Sequence, residues 1–477
     1  MKLYEHCLSG KHRSKFTITG HTVVHYVISP FIVWCDAFAP DTEREPLDKY
    51  THLLFERGHQ HERDVRQALF KDAVEVSLTS FEEGFKQVLE ACQKGSKWIV
   101  GAPMFYLPEE IYGIFDVLER NDSHKSVFGE HHYVVKEIKS AKHIKHEYIM
   151  QTAFYNYILG KIQGYTPPKF YLINREQKEF EYEFAKYEEE LSRILEDVRD
   201  IFKGKQPSPT AKSCKWPWEK YCLKRAMESD DVSLITNVGP ALKKKLNELG
   251  IKTVKQLATQ VIEPDADIPP ATLKKIKLAA QSWIDKKPIV LSKPKLPKAD
   301  IELFLDFEGT DEQQTEEGLV KLDYLIGLLA KDSTGAHFRS FVAENFADEG
   351  RMFHDFLAFM KKYPDAPVYH YGPYEKSHLA SLGQKYKVDV AHILARMIDV
   401  LSVARKSVAL PTLSMSLKDV GKFLGYNWRG MADAQESIVL YLQFSETKER
   451  ELLKRIIDYN EDDVRATMVV KDFLATL

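Results

Sequence analysis

Two acidic residues interrupt an apolar segment at the start of the last third of the chain. Asp306 and Glu308 lie within residues 301–309, where apolar residues alternate with them. Residues two apart on a β-strand face the same side, so the two carboxylates share one face. Because neighbouring carboxylates on an apolar strand repel each other, a bound divalent cation is the simplest compensation. The segment therefore predicts a metal site.

Three more residues of this region suit such a site. Glu375 follows a short predicted strand, 367–371, and begins a helix. Tyr459 and Asp463 lie four residues apart on a late predicted helix and therefore share a face. No single element can surround a pair of cations, so a site of this kind needs acids from several elements.

This order of residues is similar to that of a known nuclease group. D-x-E on a first strand, an acid after a later strand and Y-x3-D on a late helix resemble the DEDDy group of RNase H-like 3′–5′ exonucleases. The resemblance implies two Mg²⁺ or Mn²⁺ ions that activate water and stabilise the leaving oxygen. It assigns metal binding to Asp306, Glu308, Glu375 and Asp463, and orientation of the water to Tyr459.

The third acid of this set departs from the group's pattern. Glu375 stands where most members have Asp. Asp399 is the alternative third acid, although its setting is more typical of a helix cap or the edge of the core. Asp462 competes less strongly with Asp463.

A second set of residues with similar chemistry lies in the first half of the chain. Asp116 lies on one predicted strand, and Glu137 and Lys139 lie two apart on the next, so they point to the same side. Carboxylates can hold a divalent cation while the ammonium orients an attacking hydroxide beside a phosphate. Gln151 and Tyr155 share a face of the following helix.

Together with an upstream histidine, these residues resemble a second nuclease family. G-x-x-H-E at 58–62, G-x-x-D at 113–116, E-x-K at 137–139 and Q-x3-Y at 151–155 occur in the order of the RecB-like branch of the PD-(D/E)XK nucleases. The resemblance implies phosphodiester hydrolysis with His61, Asp116 and Glu137 as metal ligands and with Lys139, Gln151 and Tyr155 as catalytic residues. His61 has two neighbours, His59 and Glu62, that are alternatives.

The cysteines suggest a remnant of a feature found in that branch. Its members often bind an iron–sulfur cluster through four cysteines that join the two ends of the domain. Here Cys35 precedes the core and Cys214 and Cys222 follow it, so one ligand is missing. We therefore expect a degenerate clamp held by Trp216 and Trp218, with cluster binding through a substitute ligand as the alternative. Five sparse cysteines also argue against a disulfide framework and for a reducing compartment.

The middle of the chain is basic. Residues 201–300 contain 20 Lys+Arg and 10 Asp+Glu, a balance of +10, so the other 377 residues carry −13 of the total −3. Such a segment predicts either a polyanion-binding centre or a solvated Lys-rich linker. Within it, Pro240 suits the first position of a short helix and Gly250 suits its stop.

This short helix and the turn before it resemble the helix-hairpin-helix module, in which a G-x-G turn presents backbone N–H groups to a phosphate. The first glycine is replaced by an asparagine. The resemblance assigns nucleic-acid binding to Asn237, Gly239, Lys243, Lys244 and Lys245. A helical spacer of the same fold without phosphate contact is the alternative.

The pattern of elements predicts a multidomain α/β protein. Strands are predicted at 97–105, 111–119, 131–140, 169–173 and 301–308, with helices at 146–159 and 187–203 and a hairpin at 322–343. Breaks at 207–209 and 293–298 divide the chain. We expect a restriction-endonuclease-like nuclease domain at 1–225, a small helix-hairpin-helix-like domain at 226–290 and an RNase H-like domain at 298–477.

The combination resembles a family of RecB-like nucleases that carry a YprB-like RNase H-fold domain. It implies a metal-dependent nuclease that acts on DNA ends or single strands at two sites. An RNA-directed nuclease is one alternative, and another is a protein that binds nucleic acid or a helicase with one or both sites inactive. A G-x4-G-K-(S/T) loop is absent from the sequence, so unwinding would need a separate helicase. Without a signal peptide or an apolar run long enough for a membrane helix, the expected location is the cytoplasm.

Overall fold

The computed structural model describes residues 2–9, 16–76, 80–262, 267–310, 313–315, 318–430 and 434–477. The chain divides into two compact units, Met1–Ser229 and Asp230–Leu477. Both units mix helices and sheets, as the sequence predicts for an α/β protein. The second unit contains residues 230–300 of the basic middle segment together with the last domain, and the predicted three-domain division stays a prediction.

The elements of the first unit are as follows. Its helices are α1 (Lys2–Cys7), α2 (Gly20–Ile28), α3 (Pro30–Phe38), α4 (Lys49–Leu69), α5 (Phe81–Lys94), α6 (His146–Gln163), α7 (Glu188–Phe202) and α8 (Glu219–Glu228). Its strands are β1 (Val74–Glu75), β2 (Trp98–Tyr106), β3 (Ile111–Asn121), β4 (His132–Ile138), β5 (Lys169–Ile173) and β6 (Glu179–Glu183).

The six strands form one sheet in the order β1-β2-β3-β4-β5-β6. Strand β3 runs antiparallel to β2 and to β4, whereas β1 is parallel to β2 and β4 is parallel to β5. Helix α6 connects β4 to β5. Every residue of β4 is buried, including Lys136 and Glu137. The predicted strands and the predicted helix at 146–159 are therefore confirmed, and the sheet places a carboxylate in its interior.

The elements of the second unit are as follows. Its helices are α9 (Pro240–Glu248), α10 (Val254–Thr259), α11 (Pro270–Asp285), α12 (Glu349–Met360), α13 (Tyr374–Lys385), α14 (Ala391–Leu394), α15 (Val400–Ser407), α16 (Leu417–Phe423), α17 (Ala434–Thr447) and α18 (Arg450–Ala475). Its strands are β7 (Ile289–Val290), β8 (Glu302–Gly309), β9 (Gln313–Thr315), β10 (Gly318–Val320), β11 (Asp323–Asp332), β12 (Gly335–Val342), β13 (Val368–His370), β14 (Met397–Asp399) and β15 (Val408–Ala409).

The main sheet of this unit has the strand order β12-β11-β8-β13-β14. Strand β8 pairs antiparallel with β11 and parallel with β13. Leu303, Leu305 and Phe307 of β8 share one hydrophobic core cluster, as the predicted alternation requires. The opposite face of β8 therefore carries Asp306 and Glu308, and the long helix α18 packs against this strand.

The middle segment is helical and adjoins the main sheet's domain. Asn237 adopts a left-handed conformation, with φ 70°, and Pro240 is the first residue of α9. The Thr236 hydroxyl donates to the carbonyl of Thr412 at 2.8 Å. Strands β7 and β15 add a short antiparallel pairing. None of the helices in the described ranges is long and apolar enough to cross a membrane.

Candidate active sites

Three carboxylates of the second unit converge on one point. Asp306 and Glu308 come from β8 and Asp463 from α18, and their ligand atoms all lie within 4.8 Å of one another. Within the described residues, no other three His, Cys, Asp or Glu side chains offer ligand atoms this close together. Helix α18 packs along the face of β8 that carries Asp306 and Glu308. Because Tyr459 and Asp463 lie four residues apart on this helix, they share the side that faces the strand.

The electrostatics of this cluster favour a cation. Glu308 is buried, and its burial together with the charge of Asp463 raises its pKa to about 8. Burial also raises the pKa of Asp463 to about 6 and that of Asp306 well above its usual range. A divalent cation would stabilise the ionised forms of all three, and an all-oxygen donor set suits Mg²⁺ or Mn²⁺. The residues therefore fit the predicted metals.

Two of the carboxylates are held by side chains that the sequence did not point to. Asn460 Nδ2 donates to Asp306 Oδ2 at 2.6 Å, and Trp428 Nε1 donates to Asp463 Oδ1 at 2.6 Å. A Cβ at position 327 would lie 1.7 Å from Asn460 Oδ1, so the glycine makes room for this asparagine. Gly327, a glycine within an apolar strand, is the one sequence signal for this close approach.

Tyr459 lies beside the cluster, as predicted. Burial and the nearby charge of Asp463 raise the pKa of Tyr459, so its hydroxyl stays protonated and can donate a hydrogen bond. The ammonium of Lys418 lies 4.8 Å from the centroid of the Tyr459 ring. Its charge lowers the pKa values of Glu308 and Asp463 against the effect of burial. Lys418 is therefore, after Asn460 and Trp428, a third group of the site that sequence reasoning missed.

Glu375 is near the cluster but does not belong to the group of three within 4.8 Å. It is 4% exposed, and its Oε2 lies 3.3 Å from Nδ1 of His370. Its charge adds to the raised pKa of Asp306, after the effects of burial and of the charges of Asp463 and Glu308. Among the described residues, Glu375 Oε2 has no hydrogen-bond partner. A buried carboxylate oxygen without a hydrogen-bond partner is available to a ligand.

The two alternative acids have structural partners. Asp399 is the N-cap of α15 and accepts hydrogen bonds from the backbone N–H groups of Ser402 and Gly372. Asp462 accepts from the Tyr426 hydroxyl at 2.9 Å and from Arg429. The cap setting expected for Asp399 is therefore present.

The predicted residues of the first unit also meet. Lys139 Nζ donates to Glu137 Oε1 at 2.9 Å and to Gln151 Oε1 at 2.8 Å, and Gln151 Nε2 donates to the Tyr155 hydroxyl at 3.1 Å. Asp116 Oδ2 accepts from the backbone N–H of residue 138 at 2.8 Å. Burial and the charge of Asp116 raise the pKa of Glu137 to about 8. Strands β3 and β4 and helix α6 thus position one continuous network.

Helix α4 adds a carboxylate and a guanidinium to this network. Burial and the charge of Asp116 raise the pKa of Glu62 to about 7. The guanidinium of Arg66 pairs with Glu62 and lies 3.7 Å from Asp116. His61 Nε2 is buried without a hydrogen-bond partner among the described residues, and burial lowers the pKa of this histidine. Glu62 rather than His61 interacts with the charge of Asp116, and the assignment of His61 as a metal ligand stays a prediction.

Two glycines make room for Tyr155. A Cβ at Gly113 would lie 2.6 Å from the Tyr155 ring, and one at Gly20 would lie 2.3 Å from its hydroxyl oxygen. The first position of the G-x-x-D pattern is therefore a glycine because a larger residue there would collide with Tyr155. Gly20, at the start of α2, was not singled out from the sequence, because its contact is 135 residues away along the chain.

The basic middle differs from the prediction at one lysine. Lys243 is 7% exposed and its ammonium donates to Asp231 at 2.8 Å, so it does not present its charge to a phosphate. Lys244 is exposed, and Lys245 is half-buried with its ammonium on a backbone carbonyl at 2.9 Å. An added Cβ at Gly239 would meet no atom within 4 Å, so the turn is open to a ligand.

The three cysteines at the ends of the first unit lie in one hydrophobic cluster with Trp218. Contrary to the expectation of reduced cysteines, Cys214 and Cys222 form a disulfide, because the chain between them returns within 6.2 Å between Cα atoms. Cys35 is buried and free. Trp216 is half-buried and donates to a backbone carbonyl at 3.0 Å. The predicted clamp and the iron–sulfur alternative stay predictions.

Comparison with known proteins identifies the class of the last domain. Residues 303–475 match the family model described as RNase_H superfamily. The solved structures that are similar include the family B DNA polymerase from the hyperthermophilic archaeon Pyrobaculum calidifontis, with 17% identity and a TM-score of 0.30 over 38% of this chain and 25% of the polymerase. The chain thus spans a quarter of the length of the polymerase it matches. No curated protein matches the chain.

The chain therefore has an RNase H-like domain at its C-terminal end, and this domain suggests a nuclease. The carboxylate cluster lies within the matched residues, on the strand and the helix that begin and end them. The RecB-like and helix-hairpin-helix resemblances stay predictions.

Proposed function

We propose that the chain is a metal-dependent nuclease that hydrolyses phosphodiester bonds of DNA at two separate sites, with 3′–5′ exonuclease activity in the RNase H-like domain. The observation that carries the proposal is the cluster of Asp306, Glu308 and Asp463, whose ligand atoms lie within 4.8 Å of one another. Three acids with raised pKa values at one point are costly for the fold, and such a cost is typical of functional sites.

In the C-terminal site, Mg²⁺ or Mn²⁺ would be held by Asp306, Glu308 and Asp463, with Glu375 as a further ligand. When bound, such ions activate water and stabilise the oxygen that leaves the phosphorus. The chain's own groups keep the carboxylates in place: the amide of Asn460 fixes one oxygen of Asp306, and the indole of Trp428 fixes one oxygen of Asp463. Tyr459 acts on the attacking water.

The protonated hydroxyl of Tyr459 orients the attacking water, and the ammonium of Lys418 adds positive charge beside the reacting phosphate. Attack on phosphorus by water needs no covalent intermediate with the protein. The side chains therefore contribute position and electrostatic stabilisation rather than a nucleophile.

In the first site, the ammonium of Lys139 orients the nucleophile. The side chain of Gln151 accepts a hydrogen bond from that ammonium and is itself fixed by donating to the Tyr155 hydroxyl. Asp116 and Glu137 would bind the metal. The raised pKa of Glu137, which burial causes, supports a site that is completed by a cation.

A different function is favoured for the first unit by one observation. The guanidinium of Arg66 already neutralises Glu62 and lies 3.7 Å from Asp116. If Arg66 replaces the cation there, the first unit binds nucleic acid without cleaving it, and only the C-terminal site is an enzyme.

The test is hydrolysis of end-labelled single-stranded DNA, double-stranded DNA and RNA with Mg²⁺, Mn²⁺ or EDTA. Four proteins are compared: wild type, Asp306→Asn, Glu137→Gln and the double variant Glu137→Gln/Asp306→Asn. We expect metal-dependent cleavage by wild type and loss of 3′ trimming in Asp306→Asn. If the double variant Glu137→Gln/Asp306→Asn cleaves at the wild-type rate, the assignment of both sites is contradicted. Cleavage of RNA alone by wild type would contradict the assignment of DNA as the substrate.

A further inference from the structure

A cleft of the second unit includes two acids of the carboxylate cluster in its lining. It has a volume of about 450 Å³ and is lined by Asp306 and Asp463 together with Arg405 and Ser416. The hydroxyl of Tyr371, another lining residue, donates to the carbonyl of residue 415 at 2.9 Å and so fixes this part of the lining. The cleft therefore joins the acids to a cation.

Arg405 also lines a second, narrower cavity. The two cavities share Arg405 and Met415, and the second is also bounded by Asn237 of the turn before α9 and by Lys275 of α11. Its volume of about 20 Å³ admits little more than one water molecule. A ligand at this place would therefore lie across the mouth of the cavity rather than inside it.

The two cations at this cavity lack anionic partners. Arg405 is exposed and Lys275 is half-buried. Within the described residues, neither side chain makes a hydrogen bond or an ion pair, whereas Lys331, Arg429 and Lys471 of the same unit are each paired with a carboxylate. Two cations that line one small cavity repel each other, and an anion between them would relieve this repulsion.

We infer that Arg405 and Lys275 form a binding site for one backbone phosphate of the nucleic-acid strand whose end lies at Asp306 and Asp463. The identity of the strand rests on the proposed function. The guanidinium offers two parallel donors to phosphate oxygens, and the ammonium adds a point charge. Residues of the middle segment and of the RNase H-like domain would then grip the same strand.

The site gives the middle segment a role that does not depend on Lys243. Lys275 belongs to α11, and Asn237 lies at the same cavity with its left-handed backbone. Gly239, two residues after Asn237 in the same turn, would meet no atom within 4 Å if a Cβ were added. The phosphate contact is independent of the base and of the 2′-OH, so it is expected on DNA and RNA alike.

Binding of a fluorescein-labelled single-stranded oligothymidylate to the full chain tests the inference. Fluorescence anisotropy is measured with Ca²⁺ at several salt concentrations for wild type, for Arg405→Ala/Lys275→Ala and for the matched control Lys406→Ala/Lys274→Ala. The control removes the same charge from neighbouring exposed positions of the same helices that do not line the cavity. Thermal unfolding of each protein, and of Arg405→Gln/Lys275→Gln, verifies the fold.

We expect Kd to rise about tenfold or more for the cavity variant and less than about twofold for the control. The slope of log K against log salt should become shallower by about 0.7, the value for one phosphate contact on a single strand. Equal losses in the two variants, or no loss in either, would overturn the inference. If wild type hydrolyses no substrate in Mn²⁺ but the tenfold difference in binding is retained, the proposed function is overturned and the inference of a phosphate-binding site is supported.

Discussion

Replacing Glu308 by Gln removes one buried charge from the carboxylate cluster without changing the shape of the side chain. Glu308 is 5% exposed, and burial with the charge of Asp463 raises its pKa to about 8. In the unfolded chain the pKa of a glutamate is about 4.3. The folded protein therefore binds a proton that the unfolded chain releases between these two values.

The sign of the pH effect follows from this difference. Because the folded state binds more protons, the free energy of unfolding of the metal-free protein falls as pH rises from about 4 to about 8. The loss accumulates at about 1.4 kcal/mol per pH unit, which gives about 3 to 4 kcal/mol by pH 7. Glu308→Gln cannot ionise and escapes this loss.

We therefore expect Glu308→Gln to raise the Tm of the metal-free protein at pH 8, on the order of 5–10 °C, and to leave it nearly unchanged at pH 5. The assay is thermal unfolding in EDTA, with Glu446→Gln on the exposed surface of α17 as the control. In Mn²⁺ the order should reverse, since the variant lacks a ligand. A variant that is equally destabilised at both pH values would refute the electrostatic reasoning.

Three further predictions concern other parts of the chain. Gly327→Ala forces Asn460 from its place and should lower both the free energy of unfolding, by about 1–3 kcal/mol, and 3′ trimming. Glu137→Gln, in a protein whose C-terminal site is disabled, should abolish the remaining cleavage of labelled DNA, because the first site loses a metal ligand. Lys243→Ala should lower stability by about 3–5 kcal/mol in chemical denaturation, since it breaks a buried ion pair. Lys244→Ala should leave stability unchanged and weaken DNA binding.

Each of these predictions would be contradicted by a specific result. Gly430→Ala, where an added Cβ meets no atom within 4 Å, is the control for Gly327→Ala, and equal effects of the two would contradict the steric argument. Cleavage by Glu137→Gln at the rate of its parent would remove the first site from the mechanism. A stable Lys243→Ala that binds DNA as weakly as Lys244→Ala would mean that Lys243 faces the nucleic acid after all.

Local patterns predicted most of the elements that carry the sites. The alternation of apolar residues around Asp306 and Glu308 fixed their common face, and β8 has this arrangement. The strand pair and helix around Asp116, Glu137 and Lys139 formed as expected, because apolar strands and a long helical run are determined by nearby residues. Helix α6 is buried on most of its surface rather than on one face.

The residues that support the acids could not be predicted in this way. Asn460 and Trp428 act through contacts that α18 makes with distant elements, and their types suit many roles. For Lys243 the residue was named from the sequence, but its direction was not. It lies three residues from buried Leu246 and therefore on the inner side of α9, where its ammonium donates to Asp231. A count of lysines records the charge of such a segment but not the direction of each side chain.

The most direct test of the central claim is trimming of 5′-labelled single-stranded DNA in Mn²⁺ by wild type and by Asp306→Asn/Asp463→Asn. The account predicts a ladder of products shortened from the 3′ end by wild type, and an intact 3′ end with the variant, whose thermal unfolding in EDTA shows that it is folded. The same ladder from the variant, or a wild-type protein that leaves every 3′ end intact in Mn²⁺ and Mg²⁺, would contradict the assignment of the carboxylate cluster as a nuclease site.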